Sequence, residues 1–314
     1  MHAALDAEIR RRAPSSAPRL SVIIPVRNGE RTIAGCVESI LRGDFPASRR
    51  EVIVVDNGST DRTARLLERY PIIRLWEPRR GPSYARNLGI EASRGSILAF
   101  IDADCVATTG WLRALTAAFA DARISGVAGE ILAYPPRTAA ERYAAARRPR
   151  WQHAALHSER PYVVTANVAF RRSTFAVLGG FDPRFITGED QEFSRRFFQA
   201  GYALRYCAEA VVFHRHRDTA WRLFRQHVGW GWGAEQLGIY AWRSELAELL
   251  ACTSRLVRVD RRRPAGFELF EMLRLAARAA GALQCVASRA GRARAADRTT
   301  RPGPERIGMA DGPG

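Results

Sequence analysis

The sequence predicts an α/β fold: a mixed, mainly parallel sheet flanked by helices, with a C-terminal helical extension. Compact β-branched runs, LSVIIPV (20–26), EVIVVD (51–56), PIIRLWE (71–77) and SILAFID (96–102), read as buried strands. Between them lie stretches with helical spacing, and this alternation implies parallel strands covered on both faces. At 314 residues and 46% hydrophobic composition, the chain can bury one large domain with an appendage, or two domains.

Each element has a local reason. Strand 20–26 is stopped by Arg-Asn-Gly, and a helix is expected over 30–41. After strand 51–56, NGST turns the chain and Asp61 can cap the helix of ARLLERY. Gly81-Pro82 opens a third helix, SYARNLGIEAS, before strand 96–102. Beyond Trp111 a helix to about 120 and a strand ISGVAGEIL follow, then an Arg- and Ala-rich stretch, 137–160, to which the pattern assigns no shape. VVTANVAF (163–170) is a strand, and RSTFAVLGGF a helix ending at Gly179-Gly180. EDQEFSRRFFQAGY (189–202) is an amphipathic helix with acids in its first turn, where the dipole favours them. ALRYCAEAVVFHRHR ends as a short strand and two histidines, and the glycine alternation of RQHVGWGWG (225–233) allows a mobile loop, with ordinary packing of its aromatic rings the alternative. The expected organisation is a flexible leader 1–18, an α/β domain 19–220, a helical region 221–296 and a disordered tail 297–314.

Basic residues exceed acidic ones by 49 − 32 = 17, and all the basic residues are Arg. That sign favours anionic partners: nucleotides, nucleic acid or an acidic lipid surface. No stretch has the ~18 uninterrupted apolar residues of a spanning helix, and the leader has no apolar core like a signal peptide's. The expected place is the cytoplasm, or the inner face of a membrane. Five scattered cysteines without a C-x-x-C pair read as reduced packing residues rather than a disulfide framework or zinc site. Over 267–292, winding at 100° per residue gathers Arg274, Arg278, Arg289 and Arg292 into a sector of about 60°, opposite an apolar side that includes Leu269, Leu275 and Leu283. Such a helix either packs on its own domain with its Arg face in solvent or lies on an anionic bilayer.

The strand SILAFI exits on Asp102-Ala103-Asp104. In open α/β sheets, ligands bind outside the carboxyl ends of the strands, so Pro25 to Asn28, Asp56 to Ser59 and Asp102 to Asp104 are all sent to one rim. Two carboxylates there suit a hard cation, Mg²⁺ or Mn²⁺, although a lone D-x-D is more often a helix cap.

Taken in order, LSVIIPVRN, VIVVDNGSTD, GPSYARNLGI, LAFIDADC, TANVAFRRSTFAVLGGFD and GEDQEFSRRF resemble the family 2 glycosyltransferases, inverting enzymes of the GT-A fold, over roughly 19–232. The resemblance implies transfer of one sugar from a nucleotide-diphosphate sugar, UDP-linked by default, to a hydroxyl of a glycan or lipid-linked acceptor. Pro25, Val26, Asn28, Asp56, Arg86, Asp102 and Ala103 would bind the donor; Asp104 and His214 would hold the metal; Asp190 would be the general base. Asn167, Glu189, Gln226 and Trp230 would stand on the acceptor and donor side. The polymerising members' Q-x-x-R-W signature is absent, which favours single-residue transfer. Nucleotidyl transfer is a competing reading, but the chain has no Gly-rich phosphate loop with Lys. A non-enzymatic Arg-rich nucleic-acid binder is the other; no recognised binding motif supports it, so nucleic acid is not an expected partner.

Overall fold

A computed structural model describes residues 19–148, 150–238, 247–248 and 267–300, the last ten of these as backbone. The leader 1–18, residues 301–314 of the tail and Cys252 lie outside the described residues.

Strand β1 (Leu20–Val26) sits in the parallel half of the sheet. Its neighbour β2 (Arg50–Asp56) pairs in register from Leu20↔Arg50 to Val26↔Asp56. On the other side β4 (Ile97–Ile101) pairs through Ile23↔Phe100, and β3 (Ile73–Trp76) lies outside β2. All four strands therefore end at one rim. The other half is formed by β7 (Asn167–Arg171), β6 (Ile124–Ala133), β8 (Ala203–His214) and β5 (Cys105–Ala107), giving the order β3-β2-β1-β4-β7-β6-β8-β5. β7 runs antiparallel to β4 and β6, and β5 runs antiparallel to β8. The short β5 carries no sequence signal of its own. It exists because the chain leaving Asp104 pairs with β8 in the register Cys105↔His214.

The strand side chains alternate as a pleated sheet requires. Val22, Ile24, Val52 and Val54 pack with Ile33, Cys36 and Val37 of α1 (Ile33–Leu41) and with α4 (Trp111–Ala117). In chain order α2 (Thr63–Leu67) and α3 (Pro82–Ala92) come between these helices, and on the opposite face of the sheet Ile53 and Val55 meet Ala85 and Ala92 of α3. Further along, Phe100 and Phe170 meet Phe175 of α7 (Arg172–Leu178), Phe181, and Phe193 and Phe197 of α8 (Glu189–Gln199). That aromatic layer fixes the base of α8 against the sheet.

Stretch 137–160 is two helices. α5 (Ala139–Arg147) opens with a capping box between Thr138 and Glu141, and α6 (Trp151–Leu156) follows. The segment whose glycine alternation allowed a mobile loop is the interior of α9 (Ala220–Gln236), within the region read as helical. Its glycines serve close approach rather than motion: a Cβ on Gly231 would lie 2.0 Å from the Arg278 carbonyl oxygen, and one on Gly233 would lie 2.4 Å from that of Thr187. α10 (Phe267–Thr300) packs along α9, where a Cβ on Gly281 would lie 1.9 Å from the Val228 oxygen. The four-Arg sector is divided: Arg289 is exposed and donates to the Gln236 carbonyl, the Arg292 side chain lies outside the described residues, and the other two turn inward. Arg274 is 6% exposed and bonds Glu271, while Arg278 faces a cleft lined by the sheet's loops. A helical wheel separates the two faces of a helix but does not say which turns inward, and Glu271 supplies the counter-charge that lets this one bury. Leu269, Leu283 and Val286 are exposed. No described helix is long and apolar enough to cross a membrane.

Candidate active site

A cavity of about 1370 Å³ opens over the carboxyl ends of β1, β2 and β4. It exceeds the usual ~300–1,000 Å³ of a small-ligand pocket. Pro25, Val26, Asn28, Arg86, Asp102, Ala103, Asp104, Glu189, Asp190, His214, Gln226 and Trp230 all line it.

Two nominated residues do not. Asn167 is fully buried: its amide donates to the Glu130 and Ala210 carbonyls, at 2.8 and 2.7 Å, and accepts from Trp111 Nε1 at 2.8 Å. It braces β6, β8 and α4 and has no group left for a substrate. Asp56 is 7% exposed, and its Oδ1 accepts the Ser59 N–H, holding the turn after β2. The neighbouring Asn57 lines the cavity, with its side chain tied to the Glu77 and Arg79 carbonyls and to the Gly81 N–H.

The floor is stitched from two strand-end loops. Asn28 adopts a left-handed φ of 52°, which Asn tolerates better than most residues. It accepts the Thr60 N–H at 2.8 Å and donates its own N–H to Ser59 Oγ.

At the D-x-D corner, Asp102 Oδ1 receives Arg86 Nη2 at 3.1 Å, and Arg86 Nη1 reaches Glu189 Oε1 at 2.6 Å. Arg86 is 4% exposed. Burial alone would weaken its hold on the proton, but Glu189 and Asp102 outweigh that and raise its pKa. One buried guanidinium thus joins the end of β4 to the start of α8. Beside it, Asn87 clamps the backbone of Phe181 in both directions.

Two residues on, Asp104 Oδ1 is buried without a hydrogen bond and lies 3.4 Å from His214 Nε2. The Cys105 thiol is close by, but burial and the charges of Asp104 and Asp102 push its pKa well up, so it stays a protonated packing group. An orphaned carboxylate oxygen with an imidazole fits a divalent cation such as Mg²⁺ or Mn²⁺.

Asp190 stands at the N-terminus of α8, half-buried, with Oδ1 accepting the Gln191 N–H. Burial first, then the adjacent Glu189, push its carboxyl up to about 7, and Arg86 partly opposes them. Glu189 is raised as well, chiefly by burial.

Sequence reasoning missed Arg148 and Trp151 on the wall facing this corner. Neither sits in a motif, and their one signal is the dense Arg and Trp content of 147–151. Arg278, noted only as part of a basic helix sector, lines the same cavity.

This fold and cleft define a GT-A glycosyltransferase. The profile of "Glycosyl transferase family 2" matches residues 21–179, and the chain belongs to that family. It is 33% identical over 226 residues to Glycosyltransferase AglE of Haloferax volcanii, covering 69% of this chain and 74% of that one. It is 32% identical over 254 residues to the Pre-mycofactocin glycosyltransferase of Mycobacterium tuberculosis, covering 75% of this chain and about half (51%) of that relative. Among solved structures, the mannosyltransferase PcManGT of Pyrobaculum calidifontis, in complex with GDP-Man and Mn²⁺, superposes with a TM-score of 0.55 at 20% identity, over 95% of this chain and 87% of its own. S. aureus TarS 1–349 with UDP-GlcNAc gives 0.51 at 20% identity, over 64% and 59%. Family membership decides for glycosyl transfer over nucleotidyl transfer.

Proposed function

We propose that this chain is a metal-dependent inverting glycosyltransferase that moves a single sugar from a nucleotide-diphosphate donor, UDP-linked by default, to a hydroxyl of a glycan or lipid-linked acceptor. The observation that carries the reading is that Asp104, His214 and Asp190 line one cavity at the strand ends. The Mn²⁺ and nucleotide sugar bound by PcManGT lend support. Asp104 and His214 would hold the cation, which when bound draws charge from the departing diphosphate. Asp190, held ready near neutral pH, takes the proton of the acceptor hydroxyl as the new bond forms. Arg86 acts by position, keeping Glu189 and Asp102 in place, while Pro25, Val26 and Asn28 line the nucleotide end and Asp56 holds the turn beside it.

We also place the chain at the inner face of a membrane, with Leu269, Leu283 and Val286 of α10 and Trp221 of α9 as the contact.

A thermal-shift screen of UDP-, GDP- and dTDP-sugars tests the transfer reading, because a ligand that binds only the native state stabilises it by mass action. One donor family should raise the Tm, more with Mn²⁺ than with chelator, and the Mn²⁺ increment should vanish in Asp104→Ala. An unmoved melting curve across the whole panel would defeat the reading.

A further inference from the structure

The far wall of the cleft carries a cation that the donor chemistry does not use. Arg148 caps the end of α5, and its guanidinium carbon lies 4.4 Å from the Trp151 ring centre and 4.0 Å from that of Trp230. Among the described residues no carboxylate pairs with it. Burial, the largest cause, lowers its pKa to about 10; Tyr162 opposes the shift, and Arg278, Arg147 and Arg274, of its own sign, add to it. Stacking on two indoles offsets only part of the cost of withdrawing a guanidinium from water. A charge kept in that condition, facing a cavity with Arg278 also in its lining, is matched to an incoming anion.

Its position says which substrate brings that anion. The Trp151 ring touches both Arg148 and the metal corner, with His214 edge-on to it at 5.2 Å. Trp230 belongs to the inner face of α9, and about 5 Å further along that helix Gly233 packs on Thr187, just before Glu189 and Asp190. Arg148 therefore borders the space from which a hydroxyl must reach Asp190. We propose that Arg148, held between Trp151 and Trp230, binds a phosphoryl group carried by the acceptor. The inference rests on the transfer reading above. It narrows the acceptor to a phosphorylated one.

The test uses the full chain saturated with Mn²⁺ and whichever of UDP, GDP or dTDP binds best, so that the donor's phosphate positions are filled. Glycerol 3-phosphate and glycerol are then titrated calorimetrically. Glycerol 3-phosphate should bind and glycerol should not. In Arg148→Met the phosphate ester should bind at least tenfold more weakly, with nucleotide affinity within twofold of the parent, and Arg148→Lys should fall between. No binding of the ester to the nucleotide-loaded parent, or equal binding of glycerol, would overturn the proposal without needing any variant to fold. A parallel loss of nucleotide affinity in Arg148→Met would do so too, by assigning Arg148 to the donor diphosphate. Failure of all three nucleotides to bind would strike the transfer reading instead.

Discussion

Replacing Asp190 by Asn separates a catalytic acid from a structural one, because the two roles predict opposite changes in stability. The carboxyl sits at about 7 in the folded chain against an ordinary 3.8, raised by burial and by Glu189. Between those values the native state holds a proton that the unfolded state has released, so stability falls as pH rises through that window. A shift of about 3 units corresponds to a ceiling of about 4 kcal/mol at pH 8. Glu189 and Asp190 titrate as a pair, so one substitution recovers roughly half, ~2 kcal/mol or about 4–8 °C in Tm. Asn keeps the acceptor oxygen for the Gln191 N–H and carries no charge, so it mimics the protonated acid. We expect Asp190→Asn to melt higher than the parent at pH 8 and by only about a third of that margin at pH 5. Transfer should fall by about 10²–10⁴, the usual worth of a general base. In the parent, kcat/KM should drop about tenfold per pH unit below an apparent value near 7. Differential scanning fluorimetry at the two pH values and a nucleotide-release assay read both effects. A variant that retains a tenth of parental turnover, or that melts lower at pH 8, would refute the reasoning.

Arg86→Met should cost about 3–5 kcal/mol, because Glu189 and Asp102 lose a buried partner. It should also carry the acid limb upward, since Arg86 pulls the Asp190 value down; chemical denaturation and a pH–rate profile measure the two. Gly231→Ala places a methyl 2.0 Å from the Arg278 oxygen and should lower stability by at least ~1–3 kcal/mol, read as a lower urea midpoint; an unchanged midpoint would mean that α9 and α10 pack more loosely than described. Leu269→Glu combined with Leu283→Glu should cut co-sedimentation with phosphatidylglycerol vesicles severalfold, and equal pelleting would remove the membrane contact.

What the sequence made legible is the part of the fold built from short-range pattern. The β-branched runs become β1, β2 and β4 because strands buried on both faces are apolar throughout, and the strand-end rule sends Asp102 and Asp104 to the cleft without any knowledge of chemistry. Motif order placed Asp190 correctly at the start of α8. Reasoning by motif failed at Asn167, whose polar side chain was read as facing a substrate. Three buried hydrogen bonds from residues up to 56 positions away absorb it, and sequence offers no measure of such satisfaction. Glycine alternation in RQHVGWGWG stayed ambiguous for a related reason: a glycine needed for loop freedom and a glycine needed for helix contact look the same until the neighbour is known.

The division between legible and hidden parts follows the division of labour in the cleft. The donor end is made by loops that leave adjacent strands, so its residues lie within a few positions of strong strand signals and recur in a fixed order along the chain. The opposite wall is made by α5, α6, α9 and α10, joined through contacts such as that of Arg148 with Trp230, 82 positions apart with no period between them. The profile match ends at residue 179, before α9 and α10 begin. Arg148 and Trp151 lie inside that match while Trp230 and Arg278 lie beyond it, so the proposed acceptor wall is assembled from both parts of the chain and neither part's pattern alone reveals it.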